Sequence, residues 1–274
     1  MRICAIHVYP VKGAYRVDLD DAQVEPWGLA GDRRWMIVDA QTGRAVTQRQ
    51  LPALARIRPS SVEGGGLVLR TAAVAGPAGL VVAEPRDGKL IDVSVWDFTG
   101  PARLAGAEAG DWLTAALSAP VRLVWLDDPA RRTVDPGHGQ DGDTVSFADS
   151  FPLLLTSLAS LDALNDLIAE SGSLEGPLPM TRFRPNVVVS GAPPWAEDRW
   201  TGGRIRVGEV TFRVPKPCER CVVTTTDQET GERGHEPLRT LARHRNIDQR
   251  LLFGTNLIPD HPGRIAIGDP VEPL

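Results

Sequence analysis

Apolar and polar residues alternate over short runs along the chain, which is typical of β-strands. The first run, residues 2–9, carries apolar side chains on both faces and ends at Pro10, which predicts a strand buried on two sides. The pattern as a whole predicts a mostly β protein. Similar runs, each bounded by glycine, proline or polar turn residues, cover residues 36–39, 67–69, 80–83, 90–95, 121–126, 152–155, 187–189, 204–207, 210–214 and 264–267.

A first hairpin is predicted near the start of the chain. Residues 36–39 are followed by a turn that closes at Gly43, and residues 44–50 are expected to run back beside them. Arg33 and Arg49 would then lie near the ends of this hairpin. Asp32 is expected near the same ends of the hairpin.

A second hairpin is predicted at residues 204–214. Gly208 opens a two-residue turn, a position at which glycine is favoured because the backbone there is left-handed. This hairpin leads to Cys218 and Cys221, and the β-branched run at residues 222–226 predicts a strand after them. Cys221 is therefore expected at a junction between a loop and a strand.

Helical spacing of apolar residues occurs in only three segments, namely 107–117, 158–170 and 236–244. Two polar segments, 127–150 and 253–256, are predicted to be loops. The chain also has 27 glycines and 23 prolines, which favour many short strands over long helices. Composition thus agrees with a mostly β fold.

Length, charge and cysteine content narrow the class of protein. A chain of 274 residues can bury a sizeable core in one large domain or two smaller ones. Its net charge of −5 argues against non-specific electrostatic binding to nucleic acid or to an anionic membrane. Three cysteines, with Cys4 remote from the other two, argue against a disulfide framework. No apolar stretch is long enough for a signal peptide or a membrane span, so we expect a cytoplasmic protein.

Cys221 is the first candidate for chemistry. The guanidinium of Arg220 would favour the thiolate, which attacks electrophiles and binds soft metals. The competing interpretation is a small, inert, buried residue, and Cys221 taken alone favours it. A zinc site needs four ligands, and His235 and His244 are not at finger spacing. An iron–sulfur cluster needs about four thiolates, and the chain has three cysteines. Thioredoxin-like exchange needs the cysteine pair at the start of a helix that follows a strand, whereas a β-rich run follows the pair here.

Basic residues near the ends of predicted strands suggest an anion. Lys12 precedes Gly13 at the end of the first strand, and Arg182 and Arg184 precede Asn186 and another strand. A soft metal could be held by one protein thiolate while a phosphate-bearing organic cofactor supplies the remaining sulfur ligands. The residues permit this arrangement without requiring it.

Six motifs, in order along nearly the whole chain, resemble those of the MOSC family, the molybdenum cofactor sulfurase C-terminal domains. The resemblance is closest to the amidoxime-reducing members and their bacterial relatives. The Arg-Cys-x-x-Thr-Thr-x-Asp-x-x-Thr-Gly run is the most specific of the six. The motifs are Tyr9-Pro-Val-Lys12, Gly28-Leu-x-x-Asp-Arg-x-Trp35, Phe183-Arg-Pro-Asn186, Ala196-Glu-Asp-x-Trp200, Arg220-Cys-x-x-Thr-Thr-x-Asp-x-x-Thr-Gly231 and Gly268-Asp-Pro-Val271.

The resemblance implies a MOSC β-barrel packed against an N-terminal MOSC-associated β-barrel domain. We place the N-terminal domain at residues 1–125 and the MOSC domain at residues 126–274. The implied cofactor is molybdenum-molybdopterin, bound at the junction of the two. Cys221 would be the metal ligand and the catalytic residue. The other implied cofactor-binding residues are Lys12, Gly13, Arg33, Asp149, Ser150, Phe151, Arg184, Asn186, Glu219, Arg220 and Asn256, among which Gly13 stands where a serine is common and Asn256 where an aromatic residue occurs in animal proteins.

The activity implied by the resemblance is reduction of N-hydroxylated compounds, such as amidoximes, hydroxylamines and N-hydroxylated bases. The sequence ends at Leu274 soon after the last motif, without an iron–sulfur domain. We therefore expect electrons from a separate donor, either a cytochrome b5-like protein or a ferredoxin or flavin reductase. Neither a nucleic-acid partner nor a membrane span is expected. The alternative function is a cofactor carrier or sulfur-transfer module in which Cys221 holds a persulfide.

Overall fold

A computed structural model describes residues 1–62, 65–72 and 79–274. The described residues form short strands with few helices, so the prediction of a mostly β fold is confirmed. The strands of the first half of the chain are β1 (Arg2–Val8), β2 (Val17–Leu19), β3 (Asp21–Glu25), β4 (Gly28–Leu29), β5 (Trp35–Asp39), β6 (Arg58–Ser61), β7 (Leu67–Arg70), β8 (Leu80–Val82), β9 (Leu90–Val95), β10 (Phe98–Leu104) and β11 (Val121–Trp125).

The second half contributes the longest strand and most of the helical turns. Its strands are β12 (Leu153–Ser157), β13 (Val187–Ser190), β14 (Arg204–Val207), β15 (Val210–Arg213), β16 (Pro217–Glu219), β17 (Asn246–Ile247), β18 (Arg250–Pro259), β19 (Gly263–Ala266) and β20 (Val271–Pro273). The α-helices of the described residues are α1 (Ala107–Leu117), α2 (Leu158–Glu170) and α3 (Leu238–His244). All three lie in segments where helical spacing predicts a helix. Short 3₁₀ helices cover Pro52–Arg56, Pro129–Arg131, Met180–Phe183, Ala196–Trp200 and Val222–Thr225.

The largest sheet joins the first strand of the chain to strands of the second half. Its order is β2-β1-β13-β12-β18-β15-β14-β20, and β16 and β17 also pair with β18. β1 pairs antiparallel with β13, whereas β12 and β13 are parallel. Apolar side chains from β1, β12, β13, β14 and β15 form one buried cluster beneath the sheet.

Three smaller sheets complete the fold. Their orders are β5-β11-β10-β9, β6-β7-β8 and β19-β3-β4. The first two belong to the first half of the chain and pack with α1 around two further apolar clusters. The third joins β3 to β19, close to the end of the chain. Both ends of the chain therefore contribute to shared sheets, while the division at residues 125 and 126 stays a prediction.

Two predicted strands and one predicted loop are wrong. Residues 44–50 form no continuous strand. They make two isolated bridges, from Ala45 to Val38 and from Arg44 to Ser94, before a hydrogen-bonded turn at Thr47 and Gln50. Residues 222–225 form a 3₁₀ turn in which Thr224 and Thr225 hydroxyls donate to carbonyls three residues back. Residues 253–256 lie inside β18 and are buried in the large sheet, although three of these four residues are small or polar.

The hairpin at β14 and β15 is confirmed. Val207 pairs with Val210, and Gly208 between them has a φ of +58°. A glycine adopts this left-handed backbone without the steric cost that a Cβ would bring. Within the described residues, no helix has both the length and the hydropathy needed to cross a membrane.

Candidate cofactor site

A cavity of about 280 Å³ lies where the loops of the two halves meet. All twelve residues proposed from the sequence line this cavity. They come from segments that are far apart in sequence, and the sheets described above bring these segments together. The placement of the twelve residues around one space is a finding, whereas their individual roles stay predictions.

Lys12 occupies one wall of the cavity and is almost completely buried. Its Nζ donates to the carbonyl oxygen of Phe147 at 2.8 Å and to the carboxylate of Asp149. Burial lowers the pKa of Lys12 to about 8, and the nearby Asp149 only partly opposes this effect. The positive charge of Lys12 therefore varies with pH in a range in which the arginines of the cavity stay charged.

Anion binding in the cavity is expected to weaken as pH rises. Lys12 loses its proton as pH passes through about 8, so the wall carries less positive charge at pH 9 than at pH 7. Sulfate is a suitable probe because its own charge is constant over this range. Titration calorimetry on the cofactor-free protein should show about tenfold weaker sulfate binding at pH 9 than at pH 7.

The variant Lys12→Arg provides the control for this pH effect. An arginine keeps its charge over the whole range, so its sulfate affinity should be nearly constant from pH 7 to pH 9. If wild-type protein bound sulfate equally at both values, Lys12 would not be the titrating cation of the cavity.

Arg33 is held by a buried carboxylate. Its backbone is left-handed, with φ at +46°, and its Nη1 donates to Oδ2 of Asp32 at 2.5 Å and to Oδ1 of Asn186 at 3.0 Å. The other carboxylate oxygen of Asp32 accepts from the backbone N–H of Tyr9 at 2.7 Å. Asp32 and Asn186 thereby hold Arg33 between the end of β1 and the start of β13.

Arg184 also lies against the ring of Tyr9. The guanidinium carbons of Arg33 and Arg184 are 4.3 and 4.2 Å from the ring centroid. Arg184 also donates to the carbonyl oxygen of Ala14 at 2.8 Å and to Oε1 of Gln228 at 2.9 Å. Burial lowers the pKa of Arg184 to about 10, so it remains charged at neutral pH. Two fixed positive charges thus approach one Tyr9 ring.

Cys221 follows β16 and directly precedes the 3₁₀ turn at Val222–Thr225. Its thiol is free, half-buried and part of the cavity wall. Arg220 beside it donates to the carbonyl oxygen of Phe183 at 2.7 Å and to Sγ of Cys218 at 2.8 Å. Burial raises the pKa of the Cys218 thiol, and Arg220 opposes that rise. The sequence predicts the Arg220 guanidinium beside the Cys221 thiol, whereas the hydrogen bonds of the described residues direct it to the thiol of Cys218 and to the carbonyl oxygen of Phe183.

The remaining predicted residues form the rest of the wall. Asn186 uses its amide to bond His7 and Leu154 as well as Arg33, so it supports the wall at the strand entrance. The side chain of Asn256 donates to the carbonyl oxygens of Lys216 and Pro217. Gly13, Ser150, Phe151 and Glu219 complete the predicted set.

Gly13 has a φ of +79°. A serine at this position would be strained in the same backbone conformation. The glycine therefore fits the local turn in this chain.

Arg182 does not line the cavity, so its prediction as part of the cationic pocket is wrong. Its Nη1 donates to the carbonyl oxygen of Thr225 at 2.8 Å, and its Nη2 lies 3.2 Å from Oδ2 of Asp227. Arg182 and Arg184 are two residues apart, and the left-handed backbone at Arg184 sends their side chains to different neighbours. The role of Arg182 is to hold the turn after Cys221.

Several residues of this region are missed by the sequence analysis. Arg132 is buried behind the wall and donates to the carbonyl oxygens of Ser146, Ala148 and Asp149, which holds the segment that faces Lys12. Nothing in the polar composition of residues 127–150 marks one arginine as buried. Others that line the cavity are Thr47, Gln48, Arg49, Trp96, Lys216, Cys218, Val223 and Thr224.

The side chains of the cavity limit the ways in which a metal ion could be bound. Within residues 1–62, 65–72 and 79–274, no group of three or more His, Cys, Asp or Glu side chains could hold a metal ion. Cys221 instead lies among several fixed cations. These residues fit a metal that arrives with an anionic organic cofactor and gains a single thiolate ligand from the protein.

Comparisons with known proteins give the family of this chain. The MOSC domain model matches residues 142–272, and the model of the MOSC N-terminal beta barrel domain matches residues 1–120. Human mitochondrial amidoxime-reducing component 1 is 32% identical over 287 residues, covering 98% of this chain and 82% of the human protein. This chain belongs to the MOSC family. Both the resemblance predicted from the six motifs and the predicted fold class are confirmed.

A second group of MOSC relatives is larger than this chain. The molybdenum cofactor sulfurase of Anopheles gambiae is 32% identical over 93% of this chain, but the alignment covers only 34% of the sulfurase. The MOSC proteins that resemble this chain are thus named for amidoxime reduction or for the molybdenum cofactor. Family membership supports binding of a molybdenum cofactor.

Proposed function

We propose that this MOSC protein is a molybdenum-cofactor reductase of N-hydroxylated compounds, including amidoximes, hydroxylamines and N-hydroxylated bases. The observation that carries the proposal is the free thiol of Cys221 in the wall of a cavity that is also lined by Lys12, Arg33, Arg184 and Arg220. The similarity to amidoxime-reducing component 1 extends over most of both chains, which favours a shared activity.

The residues of the cavity divide into a metal end and an anion end. Cys221 would ligate molybdenum through its thiolate. Lys12, Arg33 and Arg184 would hold the pterin and its phosphate, since two of them already flank Tyr9 and the third is buried beside Asp149. Desolvation raises the pKa of Asp149, but the hydrogen bond from Lys12 and the charges of Lys12, Arg33 and Arg49 together outweigh it and hold the pKa well below its usual range. Asp149 therefore stays ionised and balances part of the positive charge.

When bound, the cofactor would supply oxygen-atom transfer, in which the substrate loses the oxygen of its N–O group and receives two electrons. The chain contributes binding and orientation. Arg33 is fixed by Asp32 and Asn186, and Arg220 by Phe183 and Cys218, so neither guanidinium has to reorganise when an anion enters. Electrons would come from a separate donor of the cytochrome b5, ferredoxin or flavin reductase type, and the protein would act in the cytoplasm.

The test is metal analysis together with a reductase assay. Protein made in a host that synthesises the cofactor, or reconstituted with it, should contain about one molybdenum and one pterin per chain. It should reduce benzamidoxime to benzamidine when a reduced viologen replaces the donor protein.

The same preparation distinguishes the alternative function. A carrier or sulfur-transfer module, which the similarity to sulfurases favours, would show sulfane sulfur on Cys221 and no turnover of benzamidoxime. Fully loaded protein without reductase activity would therefore contradict the proposed reaction while leaving cofactor binding intact.

A further inference from the structure

Arg49 differs from the other cations of the cavity in how its side chain is used. In the part of the chain that the structure describes, its guanidinium makes no hydrogen bond and no ion pair, and its nearest partner is the indole of Trp96 at 4.2 Å. Its N–H donors are therefore available to a ligand. The other five cations each donate to a carbonyl, carboxylate, amide or thiol group of the protein; they are Lys12, Arg33, Arg184, Lys216 and Arg220.

The backbone that presents Arg49 is held from both sides. Its own N–H donates to Oγ1 of Thr47 at 3.2 Å, and its carbonyl oxygen accepts from Arg233 at 3.3 Å. The buried Gln48 beside it donates to the carbonyl oxygen of Gly13 at 2.7 Å and exchanges two amide hydrogen bonds with Gln228. The direction of the Arg49 side chain therefore follows from a rigid segment.

Trp96 occupies an unusual position at the tip of the hairpin between β9 and β10. It follows Val95, which pairs with Phe98, and its backbone is left-handed with φ at +53°. This conformation is uncommon for a bulky residue, and such strain is often retained at functional sites. The indole is 47% exposed, so it lies where the cavity opens to solvent.

Trp96 also connects Arg49 to the anion end of the cavity. The indole N–H donates to Oδ1 of Asp149 at 3.3 Å, and Nζ of Lys12 lies 5.7 Å from the same ring. Both Lys12 and Arg49 therefore approach a single indole, and their charges can act on one anion. A planar guanidinium stacked on a ring keeps its N–H edge free for two parallel hydrogen bonds to phosphate.

We propose that Arg49, stacked on Trp96, is an anion-binding residue at the opening of the cavity and recognises a phosphate group. Either of two molecules can carry this phosphate group. It belongs either to the cofactor, which rests on the proposed function, or to a phosphorylated N-hydroxylated substrate such as a nucleotide.

The first experiment titrates inorganic phosphate into cofactor-free protein by calorimetry. Arg49→Gln should bind phosphate about tenfold more weakly than wild type, because it loses charge-assisted hydrogen bonds. Trp96→Ala should weaken binding about threefold through loss of the stacking partner. The control is Arg122→Gln, which removes an equal charge from the exposed face of β11 and should change nothing.

The second experiment identifies the source of the phosphate in the loaded protein. A cofactor phosphate predicts that Arg49→Gln loses molybdenum and pterin on dialysis several-fold faster than Arg122→Gln. A substrate phosphate predicts unchanged metal content, with kcat/KM about tenfold lower for a phosphorylated N-hydroxylated nucleotide and unchanged for the uncharged benzamidoxime.

An unchanged phosphate affinity in Arg49→Gln overturns the proposal, whatever the loaded protein does. The calorimetric measurement requires neither molybdenum nor turnover. A failure of the proposed reductase function would therefore leave the result for Arg49 intact, and the two failures can be told apart.

Discussion

Cys221→Ala is expected to lose bound molybdenum and to reduce benzamidoxime more than about 100-fold more slowly than wild type. Outer partners of metal ligands already change affinity or activity by about 10- to 100-fold, and Cys221 would be the direct ligand. Within the described residues no group of three or more His, Cys, Asp or Glu side chains could hold the metal in its place. Metal content by mass spectrometry and turnover with a reduced viologen measure the two effects.

Cys4→Ala is the matched control for this loss. Cys4 lies in β1 and bonds the carbonyl oxygen of Val188, away from the residues that line the cavity. Its replacement should leave molybdenum content and turnover near the wild-type values. If Cys221→Ala kept both, the thiol would be an inert wall residue, which is the competing interpretation that Cys221 alone suggests.

Asp32→Ala is expected to lower the free energy of unfolding by about 3–5 kcal/mol. The Asp32 side chain is fully buried, and its two oxygens bind Arg33 and the N–H of Tyr9. Alanine removes both acceptors and leaves a largely buried guanidinium without its counter-charge. Denaturation by urea, followed through tryptophan fluorescence, measures the change.

An exposed ion pair provides the comparison for Asp32. Asp21 pairs with Arg264 on the surface, where both side chains are more than half exposed. Asp21→Ala should cost less than about 1 kcal/mol, because solvent screens the attraction. Equal effects of the two substitutions would mean that burial does not strengthen the requirement for a charge at Asp32.

The sequence predicts much of the cavity because short motifs lie next to strand ends. Lys12, Arg33 and Asn186 each occur at such a position, and the sheet then brings the positions together. The distinction between Arg182 and Arg184 is not encoded in residue type, since both precede the same strand. Only the left-handed backbone at Arg184 separates their directions.

Residues that act through long-range packing are harder to predict. Arg132 is buried because three carbonyl oxygens converge on it, and these belong to a segment more than ten residues away. Trp96 lies in a hairpin turn, where sequence preference favours glycine or asparagine over a bulky side chain. In both cases the tertiary surroundings outweigh local preference.

Strands whose burial follows the local sequence pattern are predicted correctly, whereas a strand buried by distant segments is not. Alternating runs predict β1 and the hairpin at β14 and β15, because burial repeats there with the period of a strand. The polar segment 253–256 is nevertheless a central part of β18, flanked by β12 and β16. These small and polar residues are buried by strands that are distant in sequence, so their burial cannot be predicted from residue type.

The pairing of β1 with β13 has a consequence for synthesis on the ribosome. β1 is made well before β13, which is complete only at Ser190. At about 5–20 residues per second, the emerging β1 waits roughly 10–40 s for this partner. During that time one edge of an apolar strand lacks its native neighbour and is open to pairing with other nascent chains. Shielding of β1 during this interval, a task suited to chaperones that act at the exit tunnel, is therefore expected to favour productive folding.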